Sequence, residues 1–411
     1  IAVDIATTTV AAVLLDLTNG ETLSKTSAVN PQTAVGGDVL SRIVYTQDHE
    51  DGLPYCQKLI VDELNNMTKT MVEKTGISYE DIRGYTVAAN CTMLHLLLGV
   101  DPISLGRAPF TPVFREGQMK KAVDIGLCPQ NPSAGLYCLP SVSAYIGADI
   151  VAGIHMARLA KTDKNVMFID IGTNGEIVLT KGGKMYACSC AAGPAMEGMN
   201  ISCGCRAAEG AIEGVSFEEG QLKIKVIGDA EPKGICGSGV LETVAAFLKC
   251  GAVRPDGRLM TKKSQIPDLL YEEGREKGYY LSRENNVYFS QADVRQIQLA
   301  KGAILSGFRA LINTSELSFD ELDEVMIAGQ FGSHLKAETM VDIGILPAET
   351  RDKVSYIGNT SLSGAISVFL DKSLVDVYEE ISESVQYMEL GTLKGYNEIF
   401  ISCLTFPKPE A

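Results

Sequence analysis

One pattern occurs twice. Val3-Asp4-Ile5-Ala6-Thr7-Thr8 returns as Ile169-Asp170-Ile171-Gly172-Thr173-Asn174, in the order hydrophobic, Asp, Ile, small, Thr, polar. Asp4 and Asp170 are 166 positions apart. In both copies an apolar strand runs into a tight turn and a second strand follows, Val10–Leu17 in one case and Glu176–Thr180 in the other. A repeated supersecondary unit at this separation predicts two lobes built on one hairpin and facing each other. The 411 residues also exceed what one hydrophobic core usually fills. The expected architecture is therefore α/β, with one domain over 1–160 and a second over 161–411. The first carries an inserted segment, about 31–140, and the tail 372–411 is expected to pack as extra strands.

The remaining elements read from periodicity. Thr18-Asn-Gly20 is a turn, and Glu21–Val29 reads as a third strand. Helical spacing marks Asp38–Thr46, Tyr55–Lys74 and Met93–Leu98. Ser141–Leu159 reads as a helix capped by Ser141 or Ser143, and Ala292–Ile312 and Ser361–Leu370 as helices of the second half. Arg83–Ala89, Glu324–Ala328 and Ser355–Gly358 read as strands. Proline-rich 101–140 is the most loop-like stretch.

Charge excludes one class of partner. The net charge is −15, whereas a nucleic-acid clamp needs clustered Lys and Arg. The longest apolar runs, such as Met93–Val100, are too short to span a bilayer, which takes about 20 residues. The eleven cysteines form no C-x-x-C pair, and no secretory leader opens the chain; free thiols in the cytoplasm are expected.

A turn rich in Gly and Thr points successive backbone amides and hydroxyls at an anion. An Asp beside it can hold a water of Mg²⁺, which prefers waters, few carboxylates and substrate phosphates. Asp4, Thr7, Thr8 and Thr9 form one such cradle; Asp170, Gly172, Thr173, Asn174 and Gly175 form the other. Glu176 follows the second turn and either orients an attacking water, binds the metal through water, or is a solvated strand-start carboxylate. In Val325-Met-Ile-Ala-Gly329-Gln330-Phe-Gly332 a strand enters a glycine turn where a flat ligand can approach the backbone. Gly237, Ser238 and Gly239 open a helix, for ribose or phosphate contact or for close packing.

The succession D-I-x-T-T-T, D-I-G-T-N-G-E and A-G-x-F-G resembles the two phosphate motifs and the adenosine motif of the sugar-kinase, heat-shock ATPase and actin superfamily. Ala191-Ala-Gly-Pro-Ala-Met-Glu-Gly198, Ile201-Ser-Cys-Gly204, Gly234-Ile-Cys-Gly-Ser-Gly239 and Asp293-Val-Arg-Gln-Ile-Gln-Leu-Ala-Lys-Gly-Ala303 resemble, more narrowly, the ATPase part of reductive activators of corrinoid-dependent methyltransferases. The resemblance implies two actin-like (ribonuclease-H-like) domains with a nucleotide cleft between them. It also implies ATP and Mg²⁺ as ligands and ATP hydrolysis coupled to reducing cob(II) to cob(I) on a partner corrinoid protein, with a homodimer plausible. Such activators carry a [2Fe–2S] domain ahead of this region; no C-x₄-C-x₂-C spacing occurs here, so the cluster is expected only in a longer form. One position departs from the pattern: Ala6 stands where the first turn of the family has Gly, and a positive φ there would make Ala costly.

Other readings stay open at this level. A small-molecule kinase on the same fold needs a general base, for which Asp149 is the nameable candidate; a nucleotide-gated scaffold needs none. Cys188, Cys190, Cys203, Cys205 and Cys236 either form a metal site or are small buried hydrophobes. His95, His155 and His334 read as packing or surface residues, and Asp38 as a helix N-cap or a support of the first cradle.

Overall fold

The computed structural model describes residues 1–261, 263–329, 332 and 335–408. Contacts divide the chain into two units. One holds Ile1–Asp163, Thr180–Ala187 and Asn359–Tyr387; the other holds Lys164–Leu179, Cys188–Gly358 and Met388–Ala411.

In the first unit, β1 (Ala2–Ile5), β2 (Thr9–Leu15), β3 (Thr22–Val29), β4 (Gly84–Ala89), β5 (Gln118–Lys121) and β6 (Gly135–Cys138) form one sheet. Its order is β3-β2-β1-β4-β6-β5. β1 runs antiparallel to β2 and parallel to β4, and β4 runs parallel to β6. The stretch 31–140, expected as an insertion, thus supplies three strands of this sheet. Every residue of β4 is buried, Thr86 included, so the strand shows no alternation of buried and exposed positions.

Two helices of this unit cross closely. A Cβ on Gly364, in the Thr360–Leu370 helix, would lie 2.5 Å from the Cβ of Ala152, in the Ala148–Met156 helix. The Thr86 hydroxyl of β4 donates to the Ala365 carbonyl at 2.7 Å and ties the first of these helices to the sheet. The helix expected over Ser141–Leu159 starts only at Ala148, with Gly147 as N-cap. Residues before it are spent on a turn in which the Val142 and Ser143 amides donate to the Ile146 carbonyl. Asp38 does cap its helix: its carboxylate accepts from the Ser41 amide at 2.7 Å.

In the second unit, β7 (Val166–Ile171) and β8 (Gly175–Lys181) repeat the opening hairpin. β9 (Lys184–Cys190) follows; the stretch Thr180–Ala187, which holds the end of β8 and the first part of β9, is counted with the first unit. Then β10 (Ala211–Glu218), β11 (Gln221–Val226) and β12 (Gly234–Ile235) form a three-stranded sheet. β13 (Leu270–Glu273), β14 (Glu276–Ser282) and β15 (Val287–Ser290) form another. β16 (Glu324–Ala328) runs parallel to β7 and to β17 (Val354–Gly358). The pairing around β7 (antiparallel to β8, parallel to β16, with β17 parallel beyond it) therefore reproduces the pairing around β1. The long Gln291–Thr314 helix starts in a reciprocal cap, Asp293 N to Ser290 Oγ at 3.2 Å and Ser290 N to Asp293 Oδ2 at 2.8 Å.

The tail, whose alternation predicts strands, is helical over Leu374–Ser384 and Tyr396–Cys403, with one short strand at Val385–Tyr387. Among the described residues, no helix is long and apolar enough to cross a membrane.

Candidate functional site: the duplicated turns

The repeat holds at the level of register. Asp4 lies beside Ala88 of its parallel neighbour β4, and Asp170 beside Ala328 of β16. Both aspartates are half-buried at the ends of their strands, where the turn begins.

In the first turn the Ala6 amide donates to the Thr9 carbonyl at 2.9 Å. The amides of Thr7 and Thr8 find no acceptor among the described residues. Two adjacent donors without a partner are what an oxyanion would satisfy. The turn is braced from three sides. The buried Arg42 guanidinium donates to the Thr7 carbonyl, and at 3.0 Å to the Gly36 carbonyl. Asn90 Nδ2 donates to Thr7 Oγ1 at 3.3 Å, and Asn30 Nδ2 to the Ala6 carbonyl at 2.9 Å. Burial pulls the Arg42 pKa down to about 10, so the group stays charged.

Asp4 is held by groups distant in sequence. Its Oδ2 accepts from Asn359 Nδ2 and its Oδ1 from Ser361 Oγ, both at 2.8 Å. Asn359 also caps the Thr360–Leu370 helix, its Oδ1 accepting from the Leu362 amide at 2.8 Å. Burial raises the Asp4 pKa, and these two hydrogen bonds work against the rise. Asp149 lies close enough to feel Asp4: burial first, then the Asp4 charge, push it up to about 7, against a backbone hydrogen bond from the Ile150 amide at 2.9 Å. Sequence reasoning reaches Asp149 only as a kinase base and misses Arg42, Asn90, Asn359 and Ser361. The Gly358-Asn359-Thr-Ser361 run ahead of an apolar helix is the available signal.

In the second turn the Gly172 amide donates to the Asn174 carbonyl at 2.9 Å, and the Thr173 and Asn174 amides are without acceptors among the described residues. Thr173 Oγ1 donates to Glu197 Oε1 at 3.1 Å, and burial raises the Glu197 pKa. Glu176 sits directly across from Asp170 in the β7–β8 register and accepts from Ser189 Oγ at 3.2 Å. A Cβ on Gly175 would meet Ile304 Cγ1 at 3.1 Å, so that glycine lets the strand pack on the long helix.

The departure at Ala6 has a physical resolution. Neither Ala6 nor Gly172 adopts positive φ, and a Cβ on Gly172 would meet only the Asn174 carbonyl oxygen, at 3.9 Å. The turn accepts a methyl group in either copy. On the expectation from the motifs that this turn binds a nucleotide phosphate, Gly172→Ala should keep nucleotide affinity within about threefold of wild type; calorimetry with an ATP analogue checks it, and a loss above about tenfold contradicts the geometry.

Gly329 is different. It adopts φ +88°, and a Cβ there would fall 2.5 Å from Asp170 Oδ1. This glycine makes room for the second aspartate, so a substitution there disturbs Asp170. Gln330 lies outside the described residues, and a Cβ on Gly332 would meet Ile327 Cγ2 at 2.7 Å. At the Gly237 helix start, Ser238 Oγ donates to the Glu213 carbonyl at 2.8 Å, and a Cβ on Gly239 would stand 2.1 Å from the Ile212 carbonyl oxygen. The Ser238 hydroxyl is engaged by the Glu213 carbonyl, and Gly239 lets the helix start approach Ile212 closely. Among the described residues, no group of three or more His, Cys, Asp or Glu is placed to hold a metal ion, and the five clustered cysteines are free thiols.

Residues 164–411 match the family model described as the C-terminal domain of RACo, the ASKHA domain, and residues 1–162 match the RACo middle region. The chain belongs to the RACo family. Its fold is accordingly the actin-like ASKHA fold that the motifs implied. A corrinoid activation enzyme RamQ of Eubacterium limosum is 32% identical, the match covering 98% of this chain and 69% of that protein. A [Co(II) methylated amine-specific corrinoid protein] reductase of Methanosarcina barkeri is 25% identical over 99% of this chain and 76% of its own length. Among solved structures, a reductive activator for corrinoid, iron–sulfur protein matches with a TM-score of 0.89 and 33% identity, over 99% of this chain and 66% of that one. This RACo-family chain thus spans about two thirds to three quarters of these relatives.

Proposed function

We propose that the chain is the ATP-driven part of a corrinoid reductive activator. The observation that carries this is the duplicated turn: an aspartate at a strand end followed by two adjacent unpartnered amides, in both copies. The unpartnered amides of each turn would bind phosphate oxygens, Thr7 and Thr8 in the first and Thr173 and Asn174 in the second, and the aspartate of each turn, Asp4 or Asp170, would hold a magnesium ion through its waters. Magnesium, when bound, neutralises charge developing on the phosphates. Both Asp4 oxygens already accept one hydrogen bond, which leaves lone pairs for waters. Asp149, titrating near neutrality, takes the proton of the attacking water. In the second turn Glu176, across from Asp170 in the β7–β8 register, would bind the metal through water.

ATP binding and hydrolysis then bias the chain between states of different affinity for a corrinoid protein. The coupled reduction of cob(II) to cob(I) takes one electron, which a reduced [2Fe–2S] centre would supply. The test is to incubate the chain with Mg-ATP alone, with a cob(II) corrinoid protein, and with small hydroxylated metabolites. Release of inorganic phosphate that rises with the corrinoid protein, and no phosphorylated metabolite, is expected. A phosphorylated small molecule would replace this reading with that of a kinase.

A further inference from the structure

The Ala191–Gly198 motif places a carboxylate against the second turn. Pro194–Glu197 forms one short 3-10 turn, with Ala195 and Met196 buried. Close backbone contacts hold it. A Cβ on Gly198 would lie 2.9 Å from the Cys205 carbonyl oxygen, and one on Gly204 would lie 1.8 Å from the Gly198 carbonyl oxygen. Backbone this near leaves no room for a side chain and fixes the path of the segment that carries Glu197. The half-buried Glu197 carboxylate accepts from Thr173 Oγ1 at 3.1 Å, and nothing else among the described residues hydrogen-bonds it.

Thr7 is the counterpart of Thr173 in the repeat, and the two hydroxyls are set in opposite senses. Asn90 Oδ1 accepts from the Met93 amide at 2.9 Å as a helix cap, so Nδ2 is the end of that side chain that faces Thr7, and it donates to Thr7 Oγ1 at 3.3 Å. The Thr7 hydroxyl is thereby an acceptor, and its own hydrogen has no acceptor among the described residues. Glu197 reverses this. A carboxylate has only lone pairs, so the Thr173 hydroxyl gives its single hydrogen to Oε1. Burial raises the Glu197 pKa, and the Thr173 hydrogen bond favours the ionised form against that rise. What Thr173 Oγ1 has left for a ligand is lone pairs. A phosphate oxygen cannot use them; a cation, or a water held by one, can.

We infer that Glu197 is a positioning residue of the second turn: by taking the Thr173 hydrogen it fixes that hydroxyl as an acceptor, fit for the cation of a metal–nucleotide complex or for a water of that cation. In the first turn Thr7 instead offers its hydrogen to a phosphate oxygen. The assignment rests on the nucleotide reading of the two turns. The donor set suits magnesium, a hard cation that takes oxygen ligands, since Asp170 opens the same turn three residues before Thr173. In the sequence the two threonines look equivalent; their neighbours, Asn90 and Glu197, make them chemically opposite.

The test titrates a non-hydrolysable ATP analogue into the whole chain by calorimetry, once with Mg²⁺ and once with EDTA. The wild type is expected to bind more tightly with Mg²⁺. Glu197→Gln and Thr173→Val are each expected to lose at least about tenfold with Mg²⁺, the scale of one hydrogen bond to a charged group, and to stay within about threefold of wild type in EDTA. Thr173→Ser keeps the hydroxyl and should keep the wild-type values. Thr7→Val should lose affinity by a similar factor in both conditions. Adding Glu197→Gln to Thr173→Val should cost nothing further, because the carboxylate acts through that hydroxyl. Equal losses in Glu197→Gln with and without Mg²⁺ would make Glu197 a structural support only, and a wild-type response to Mg²⁺ in that variant would remove it from the site; either result overturns the assignment. A wild type that binds the analogue with no response to Mg²⁺ also overturns it and leaves the phosphate reading of the amides standing. No binding in either condition takes the nucleotide reading down with it.

Discussion

Asp170→Ala is expected to lower ATP turnover by at least about a hundredfold while the chain stays folded. The size follows from removing a preorganised group that acts on developing phosphate charge, where losing one such contact costs about 10²–10³ in rate. The fold should survive because the carboxylate is half-buried at the end of β7, opposite another carboxylate, Glu176. Like charges directly across a strand pair are destabilising, so the alanine gives back part of what it removes. Asp170→Asn separates charge from shape: it keeps the packing under Gly329 and should be nearly as inactive. Asp4→Ala should cost stability as well, because Asn359 Nδ2 and Ser361 Oγ each lose an acceptor, at about 1–3 kcal/mol for each buried donor left unpaired. Steady-state phosphate release and thermal melting of the three variants check these outcomes. Wild-type turnover in Asp170→Ala would remove the second cradle from the mechanism.

The contrast between those aspartates shows what the chain discloses in one dimension. Asp4 and Asp170 are legible because each stands in a six-residue pattern that occurs twice, and the repeat carries its own control. Their supports are not. Asn359 is 355 positions from Asp4, and a polar N-cap ahead of an apolar helix looks the same whether or not its side chain reaches a carboxylate. Arg42 reads as an ordinary charged residue of a surface helix; only the fold shows it buried against the Thr7 carbonyl. Glycines divide in the same way. Gly329 and Gly239 both sit in glycine-rich turns, yet the first has positive φ and gives space to Asp170, while the second lets a helix approach the Ile212 carbonyl. Strands β10 to β15 escape notice although β10 has eight residues: its burial does not alternate with period two, and β11 carries only exposed and half-buried residues, which leaves little apolar alternation to see. The parallel strand β4 is legible as a strand, but its place beside β1 is not, since parallel partners are joined through long crossovers.

Asp149→Asn is expected to stop turnover and to raise thermal stability, the second effect depending on pH. Burial and the neighbouring Asp4 lift the Asp149 pKa to about 7 in the folded chain, from an ordinary value of 3.8. Between those values the folded state holds a proton that the unfolded state has released. Stability therefore falls as pH rises through this window, and the full cost is present above about pH 7. Displacement of the pKa from 3.8 to about 7 sets a ceiling of about 4 kcal/mol, at about 1.36 kcal/mol for each tenfold change in proton affinity, and half-burial brings the expected figure nearer to about 2 kcal/mol. Asparagine removes the charge and keeps an oxygen for the Ile150 amide. The nucleotide-free variant should thus melt a few degrees above wild type at about pH 8, and the gain should shrink toward zero near about pH 4. Asp4, freed of a like charge, should become the easier of the pair to ionise. A gain of equal size at both pH values would mean that packing and not charge is responsible, and no gain at the higher pH would mean that Asp149 is already solvated. The expected pairing of lost activity with added stability is what a charge kept out of water for catalysis produces: the carboxylate that a nucleophilic water needs is one the folded chain would be more stable without.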